Sequence, residues 1–154
     1  MDAWNEIARA LRGLHAGLLE CARTEYLREH PEAGGIGPGE MLILATQGED
    51  FAWLRSLSEV MTEIDELRDD AHAAGDPQLQ AAVRGAVEEL VASQAEAATP
   101  FQLRYWHFVH EDPKVAMAHA RLRQALQALP SAAAGGRQRM AAQLAKPRQS
   151  RLPK

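Results

Sequence analysis

The chain has 154 residues, of which 25% are charged, and it carries a net charge of −4 and one cysteine. This length suits one domain around one hydrophobic core, and Cys21 alone can form neither an internal disulfide nor a cysteine-based zinc site within the chain. No run approaches the roughly 18 to 20 apolar residues that span a bilayer, and the first six residues lack the order of a signal peptide, so we predict no membrane span and expect a cytoplasmic location.

The composition favours helices throughout. Alanine, leucine, glutamate, glutamine and arginine dominate, whereas valine, isoleucine, threonine and aromatic residues are sparse. The abundant side chains enter helices with little loss of rotamer freedom. We therefore predict an all-α protein, a bundle of about five helices with a four-helix-bundle-like core.

The first two long helices are predicted from apolar residues spaced three and four apart. The first covers about residues 3–30 and ends at Pro31 and the glycine-rich stretch 34–39. A short apolar segment, 40–46, leads to the second helix, predicted over about 49–74. This second helix carries apolar residues on more than one side, so we expect spare apolar surface there.

Three junctions of the same kind divide the next part of the chain. Asp76-Pro77, Thr99-Pro100 and Asp112-Pro113 each combine an N-cap residue with a proline at the tolerated first helical position. They predict helices over about 77–97, 101–110 and 114–129.

Charge is segregated along the sequence. Residues 1–112 contain eight Lys/Arg and all 21 Asp/Glu, a net of −13, whereas residues 113–154 contain nine Lys/Arg and no acid. Beyond Pro130 large apolar residues are too few to offset the ordering of the backbone. We predict a bundle domain over 1–130 and a disordered basic tail over 131–154, which attracts an acidic surface.

Two histidines lie on apolar stripes and are expected to point toward the core. His15 falls between Leu11 and Leu18, and His119 lies between Val115 and Leu122. A buried imidazole near a polar partner either fixes helix register or is poised for proton transfer. The candidate partners are Glu25, Ser58, Asp65, Arg104 and Tyr105.

Other signatures of chemistry are weak in this sequence. No histidine follows a glutamate by three residues, so the spacing of bundle metal sites is missing and we predict neither a metal nor a cofactor. Nucleotide-binding and hydrolase motifs are also missing, which favours a non-enzymatic role. The basic tail has no aromatic residue for base stacking and the rest of the chain is acidic, which argues against nucleic acid.

Four segments resemble a family of small bacterial helical proteins: 37–40 (GPGE), 51–59 (FAWLRSLSE), 64–66 (IDE) and 112–119 (DPKVAMAH). The resemblance extends over about residues 11–129. It implies a compact bacterial helical unit and assigns no catalytic residue. The layout is also similar to hemerythrin-like bundles, an analogy of architecture alone.

Two functional hypotheses follow. In the first, the protein is an interaction or scaffolding module that forms a homo-oligomer or binds a protein partner, with the basic tail on an acidic face. In the second, it is a bundle that binds a small molecule or cofactor in a polar and aromatic pocket. The ligand-binding residues of that pocket are predicted to be His15, Asp65, Arg104, Tyr105 and His119.

Overall fold

The computed structural model describes residues 2–93 and 98–146, and all regular structure in these residues is helical. The helices are α1 (Asp2–Glu29), α2 (Pro38–Gln47), α3 (Arg55–Arg68), α4 (Ala71–Ala74), α5 (Pro77–Leu90), α6 (Pro100–Glu111), α7 (Pro113–Leu126) and α8 (Gly136–Leu144), with short 3₁₀ helices at Pro31–Ala33 and Glu49–Leu54. The all-α class is confirmed. The expected number of about five helices is wrong, because the described residues contain eight α-helices.

The three proline junctions begin helices as predicted. The Asp76 carboxylate accepts a hydrogen bond from the Gln78 N–H at 2.9 Å, and Asp112 accepts one from the Lys114 N–H at 2.9 Å. Thr99 forms a full capping box, in which its hydroxyl oxygen accepts from the Gln102 N–H and the Gln102 side chain accepts from the Thr99 N–H, both at 3.0 Å. Each cap satisfies backbone donors that the first turn of a helix leaves without partners.

The second long helix is not continuous, contrary to the prediction over 49–74. Residues 49–54 form a 3₁₀ helix, and the chain breaks again between α3 and α4. At that break Asp70 adopts an extended conformation and its carboxylate accepts hydrogen bonds from the His72 and Ala73 N–H groups. An aspartate can thus cap a new helix instead of continuing the old one, which an apolar stripe does not reveal.

Side chains of α6 terminate α5. Gln102 donates to the Glu89 carbonyl at 3.0 Å, and the Trp106 indole N–H lies 3.2 Å from the carbonyls of both Val91 and Ala92. These carbonyls are ones that a helix end leaves unsatisfied. The helix predicted to reach about residue 97 therefore ends at Leu90, and residues 94–97 lie outside the described residues.

The core is built around α1, which packs against α7 and α3. Trp4, Ile7, Leu11, Leu14 and Leu18 are at most 1% exposed, which confirms the predicted stripe of the first helix. Most large apolar residues of the segment 49–74 are also buried, from Phe51 at 0% to Trp53 at 9%, and Met61 is partly buried. The segment therefore exposes little of the spare apolar surface expected there. Among the residues described, no helix is long and apolar enough to cross a bilayer.

Residues 136–144 form α8, so the prediction of a disordered tail is wrong for this part of it. Met140 is completely buried, and the Ala133 N–H donates to the Ala81 carbonyl at 3.1 Å. Arg137 forms an ion pair with Glu63 of α3 at 3.0 Å. The basic segment thus packs on its own chain and pairs with one of its acids. The last residues of the predicted tail, 147–154, fall outside the described residues.

Candidate functional site

Two of the predicted site residues meet between α6 and α7. Tyr105 is completely buried, and its hydroxyl lies 2.5 Å from Nδ1 of His119. The rings of Tyr105 and Trp106 both make edge contacts with the His119 imidazole, at centroid distances of 5.6 and 5.0 Å. The imidazole is therefore fixed in position by one hydrogen bond and two aromatic rings.

His119 lines a cleft of about 420 Å³ between α5, α6 and α7. This volume falls within the range of small-molecule sites. The wall combines apolar surface with charged groups from α5 and α7. Its other lining residues are Arg84, Glu88, Val91, Ser93, Trp106, Arg123, Leu126 and Gln127.

The protonation of the pair follows from its surroundings. Burial lowers the pKa of the His119 imidazole, and the Arg123 cation lowers it further. Burial also raises the pKa of the Tyr105 phenol. At neutral pH both groups are neutral, and the phenol O–H has no other acceptor among the described residues. We therefore assign the phenol as the donor to Nδ1, which places the ring proton on Nε2. His119 then acts as a hydrogen-bond donor through Nε2.

Arg84 has a structural role at the edge of the cleft. Its Nε donates to Glu88 at 2.9 Å, and Nη1 donates to the Leu129 carbonyl at 3.0 Å. The second bond satisfies a carbonyl beyond the end of α7 and ties α7 to α5. Arg84 therefore links α5 to the segment that follows α7.

The other histidine forms a separate pair. Nε2 of His15 lies 3.1 Å from the Ser58 hydroxyl, which also lies 3.4 Å from the Leu54 carbonyl. Burial lowers the pKa of the His15 imidazole. This contact joins α1 to α3, and it matches the simpler of the two expectations for a buried histidine, a polar contact that fixes helix register.

Arg104 and Asp65 lie in other surroundings. Arg104 pairs with Glu25 at 2.7 Å and lies over the Trp53 ring at 6.0 Å. Asp65 pairs with Arg68 at 3.4 Å, and 47% of its side chain is exposed. Of the five predicted residues, Tyr105 and His119 contact each other, whereas His15, Asp65 and Arg104 pair with Ser58, Arg68 and Glu25.

Of the residues that line the cleft, the predicted ligand-binding set included only His119, and it left out Arg84, Trp106 and Arg123 in particular. Arg123 follows His119 by four residues and so lies on the same face of α7, a spacing that the sequence shows. Arg84 and Trp106 carry no such signal, because they reach the cleft through the packing of α5 and α6. In the part of the chain that the structure describes, no group of three His, Cys, Asp or Glu side chains could hold a metal ion.

A second feature of the surface is α2, the only described α-helix without a buried residue. Leu42 is 66% exposed and Ile43 is 59% exposed. Leu42, Ile43 and Thr46 fall on one side of the helix, which we call the α2 face. The Thr46 hydroxyl donates to the Leu42 carbonyl at 2.8 Å, so the polar group of this face is already satisfied within the helix.

In comparisons with known proteins, no family model matches the chain, and no curated protein and no solved structure is significantly similar to it. The resemblance to small bacterial helical proteins therefore stays an expectation. What this protein does has to be inferred from the α2 face, the cleft and their charges.

Proposed function

We propose that this protein is an interaction module that associates with a second copy of itself through the α2 face. The observation that carries the proposal is the exposure of Leu42 and Ile43 on a helix that buries no residue. Large exposed apolar side chains are ordinary when single, but neighbouring ones on one face are typical of contact surfaces. Because the two side chains are already partly covered, burying the rest of both would contribute about 2 to 4 kcal/mol before the cost of association is subtracted.

The charges around the α2 face indicate which charges its partner surface should carry. Residues 29–54 contain five acids and no Lys or Arg. Glu40 lies beside Ile43 on α2, and Glu49 and Asp50 follow the helix directly; all three are exposed. A partner surface that matches these features is apolar at its centre and basic at its rim.

The outer side of α7 has these properties. Met117 is 57% exposed, and Lys114 and Arg121, three residues before it and four after it, are exposed on the same side of the helix. We call these three residues the α7 face. Because residues 113–154 contain no acid, the α7 face of one copy complements the α2 face of another in both charge and polarity.

The size of α2 sets the expected affinity. A helix of ten residues is about 15 Å long, and two such faces bury less than the roughly 800 Å² per partner of a standard interface. Association is therefore weak, with an expected dissociation constant of about micromolar to millimolar. Added salt weakens it further, since the exposed charges attract each other across the contact.

Sedimentation velocity over a wide range of protein concentration tests this proposal. Leu42→Ser is expected to reduce self-association about tenfold or more, because most of one buried side chain is lost. Leu103→Ser is the matched control: Leu103 lies on α6 and is 65% exposed, almost as much as Leu42. A strictly monomeric protein, or equal effects of both substitutions, would overturn the proposal.

A charge exchange tests the identity of the partner surface. Arg121→Glu alone places an acid against the acidic rim of the α2 face and is expected to weaken association. Glu40→Lys combined with Arg121→Glu restores opposite charges and is expected to recover it. If the double variant associates no better than Arg121→Glu alone, the α7 face is not the partner of the α2 face.

A further inference from the structure

We infer that the cleft between α5, α6 and α7 is a binding site for a small organic monocarboxylate with a flat apolar body. This inference is independent of self-association, because it concerns another side of α7. The cleft contains a cation that pairs with no acid of the described residues, an oriented imidazole donor and an apolar wall. Each of these features corresponds to one part of such a ligand.

Arg123 supplies the charge. Its guanidinium is exposed and forms no ion pair with any carboxylate of the described residues. Arg84 is occupied by Glu88 and by the Leu129 carbonyl, and Glu88 is the one acid among the described residues that line the cleft. One positive charge therefore remains uncompensated on the wall, which favours a ligand with one negative charge.

His119 supplies a hydrogen-bond donor with a fixed orientation. Its Nδ1 accepts the Tyr105 hydroxyl proton, so Nε2–H remains as a donor, and no hydrogen bond links Nε2 to another residue in the described part of the chain. Arg123 lies one helical turn further along α7 on the same side. Together they offer hydrogen-bond donors to the two oxygens of one carboxylate.

An apolar part of the wall supplies the remaining contact. Val91, Trp106 and Leu126 line the cleft, and the indole of Trp106 is held in place by its hydrogen bonds to the Val91 and Ala92 carbonyls. A fixed aromatic ring binds flat apolar groups by stacking without a large entropic cost. A simple inorganic anion would leave this wall unused, which is why we assign a carboxylate with an apolar body.

Benzoate is a suitable probe, and benzyl alcohol is its neutral counterpart of similar shape. The chain has three tryptophans, so the indole N–H signals in a ¹H–¹⁵N spectrum report on few positions. Benzoate is expected to shift the Trp106 signal saturably, with a dissociation constant of about a millimolar for so small a ligand. Benzyl alcohol at the same concentration is expected to bind at least about tenfold more weakly, since it cannot pair with Arg123.

Two arginines of α7 provide the matched variants. Arg123→Gln is expected to weaken benzoate binding about tenfold by removing a charge-assisted hydrogen bond. Arg121→Gln removes the same charge from a position two residues away, which points to another side of the helix, and is expected to leave binding unchanged. Because Arg121 belongs to the α7 face and Arg123 to the cleft, failure of this inference can be told apart from failure of self-association.

Three results would overturn the inference. The first is the lack of a saturable shift of the Trp106 signal up to about 20 mM benzoate, well above the affinity expected for a ligand of this size. The second is equal binding of benzyl alcohol, which would remove the role of the charge. The third is an equal loss of affinity in Arg121→Gln and Arg123→Gln, which would indicate nonspecific attraction to a basic helix.

Discussion

The docking of α8 on α5 depends on two glycines, and this dependence gives the sharpest prediction about the fold. A Cβ atom on Gly85 would lie 2.2 Å from the Ala133 carbonyl oxygen, and one on Gly136 would lie 2.1 Å from the Ala82 carbonyl oxygen. Both contacts are to backbone atoms, which cannot rotate away. Gly85→Ala or Gly136→Ala therefore requires the connection before α8, or α8 itself, to move outward.

The expected cost can be worked out from what that movement breaks. Full loss of docking exposes Met140, worth about 1.5 to 3 kcal/mol, and removes the hydrogen bond from Ala133 to Ala81, worth about 1 kcal/mol. Within α5, alanine gains about 1 kcal/mol over glycine from helix propensity. We therefore expect Gly85→Ala to lower the free energy of unfolding by about 1 to 3 kcal/mol net.

Gly13→Ala is the control for Gly85→Ala. Gly13 lies inside α1, and a Cβ atom there would meet nothing within 4 Å, so the substitution should stabilise the protein by up to about 1 kcal/mol. Urea unfolding measures both free energies, and hydrogen exchange of residues 136–144 reports whether α8 has left its place. If Gly85→Ala stabilises the protein as Gly13→Ala does, or if α8 exchanges no faster, the tight contact is not required.

Three further predictions concern the titratable groups. The pKa values of His15 and His119 are lowered in the folded protein, so the unfolded chain binds protons first as the pH falls. The contribution of the two groups to stability is complete above about pH 6.5, the ordinary pKa of histidine, and is lost below it. The free energy of unfolding in urea should therefore depend less on pH in His15→Asn, and an unchanged dependence on pH would contradict this reasoning. Burial, followed by the hydrogen bond to Asp112, raises the pKa of the Cys21 thiol to about 12. Alkylation of this thiol at pH 8 should therefore be at least about a hundredfold slower in the folded than in the unfolded protein, and comparable rates would contradict the burial of this group. Tyr105→Phe removes the donor to Nδ1 of His119, and ¹⁵N spectra should then show a mixture of the two imidazole tautomers in place of the Nε2–H form; an unchanged tautomer would mean that another group fixes the ring.

Arg84 links the architecture of the cleft to its chemistry. The same guanidinium neutralises Glu88 and holds the Leu129 carbonyl, so the acid of the cleft is already paired and α7 is anchored beside α5. Replacing Arg84 would both release a negative charge into the cleft and loosen its wall. The charge of Arg123 is thus available for a ligand because a neighbouring arginine already pairs the adjacent acid.

The helix starts were predictable because the interactions that fix them are local. Asp76, Thr99 and Asp112 cap helices through hydrogen bonds to groups two or three residues away, so a short stretch of sequence contains all the necessary information. The apolar stripe of α1 was predictable for a similar reason, since the helical repeat places those residues on one side in any packing. The polar partners of His15 and His119 were among the candidates because Ser58 flanks the apolar stripe of one helix and Tyr105 lies on the aromatic stripe of another.

The tertiary structure decided the rest, because the deciding contacts join distant parts of the chain. α8 packs closely on α5 because Gly85 and Gly136 have no side chain between the two backbones. The number of apolar residues in the basic tail does not predict this contact. The end of α5 depends on Gln102 and Trp106 from the next helix, and the cleft exists only where three helices meet. The sequence alone determined that the segments of α1, α5, α6 and α7 are helical and where these four helices begin. Packing determined which side chains meet, since meeting requires a specific distance and angle between elements that local propensity does not set.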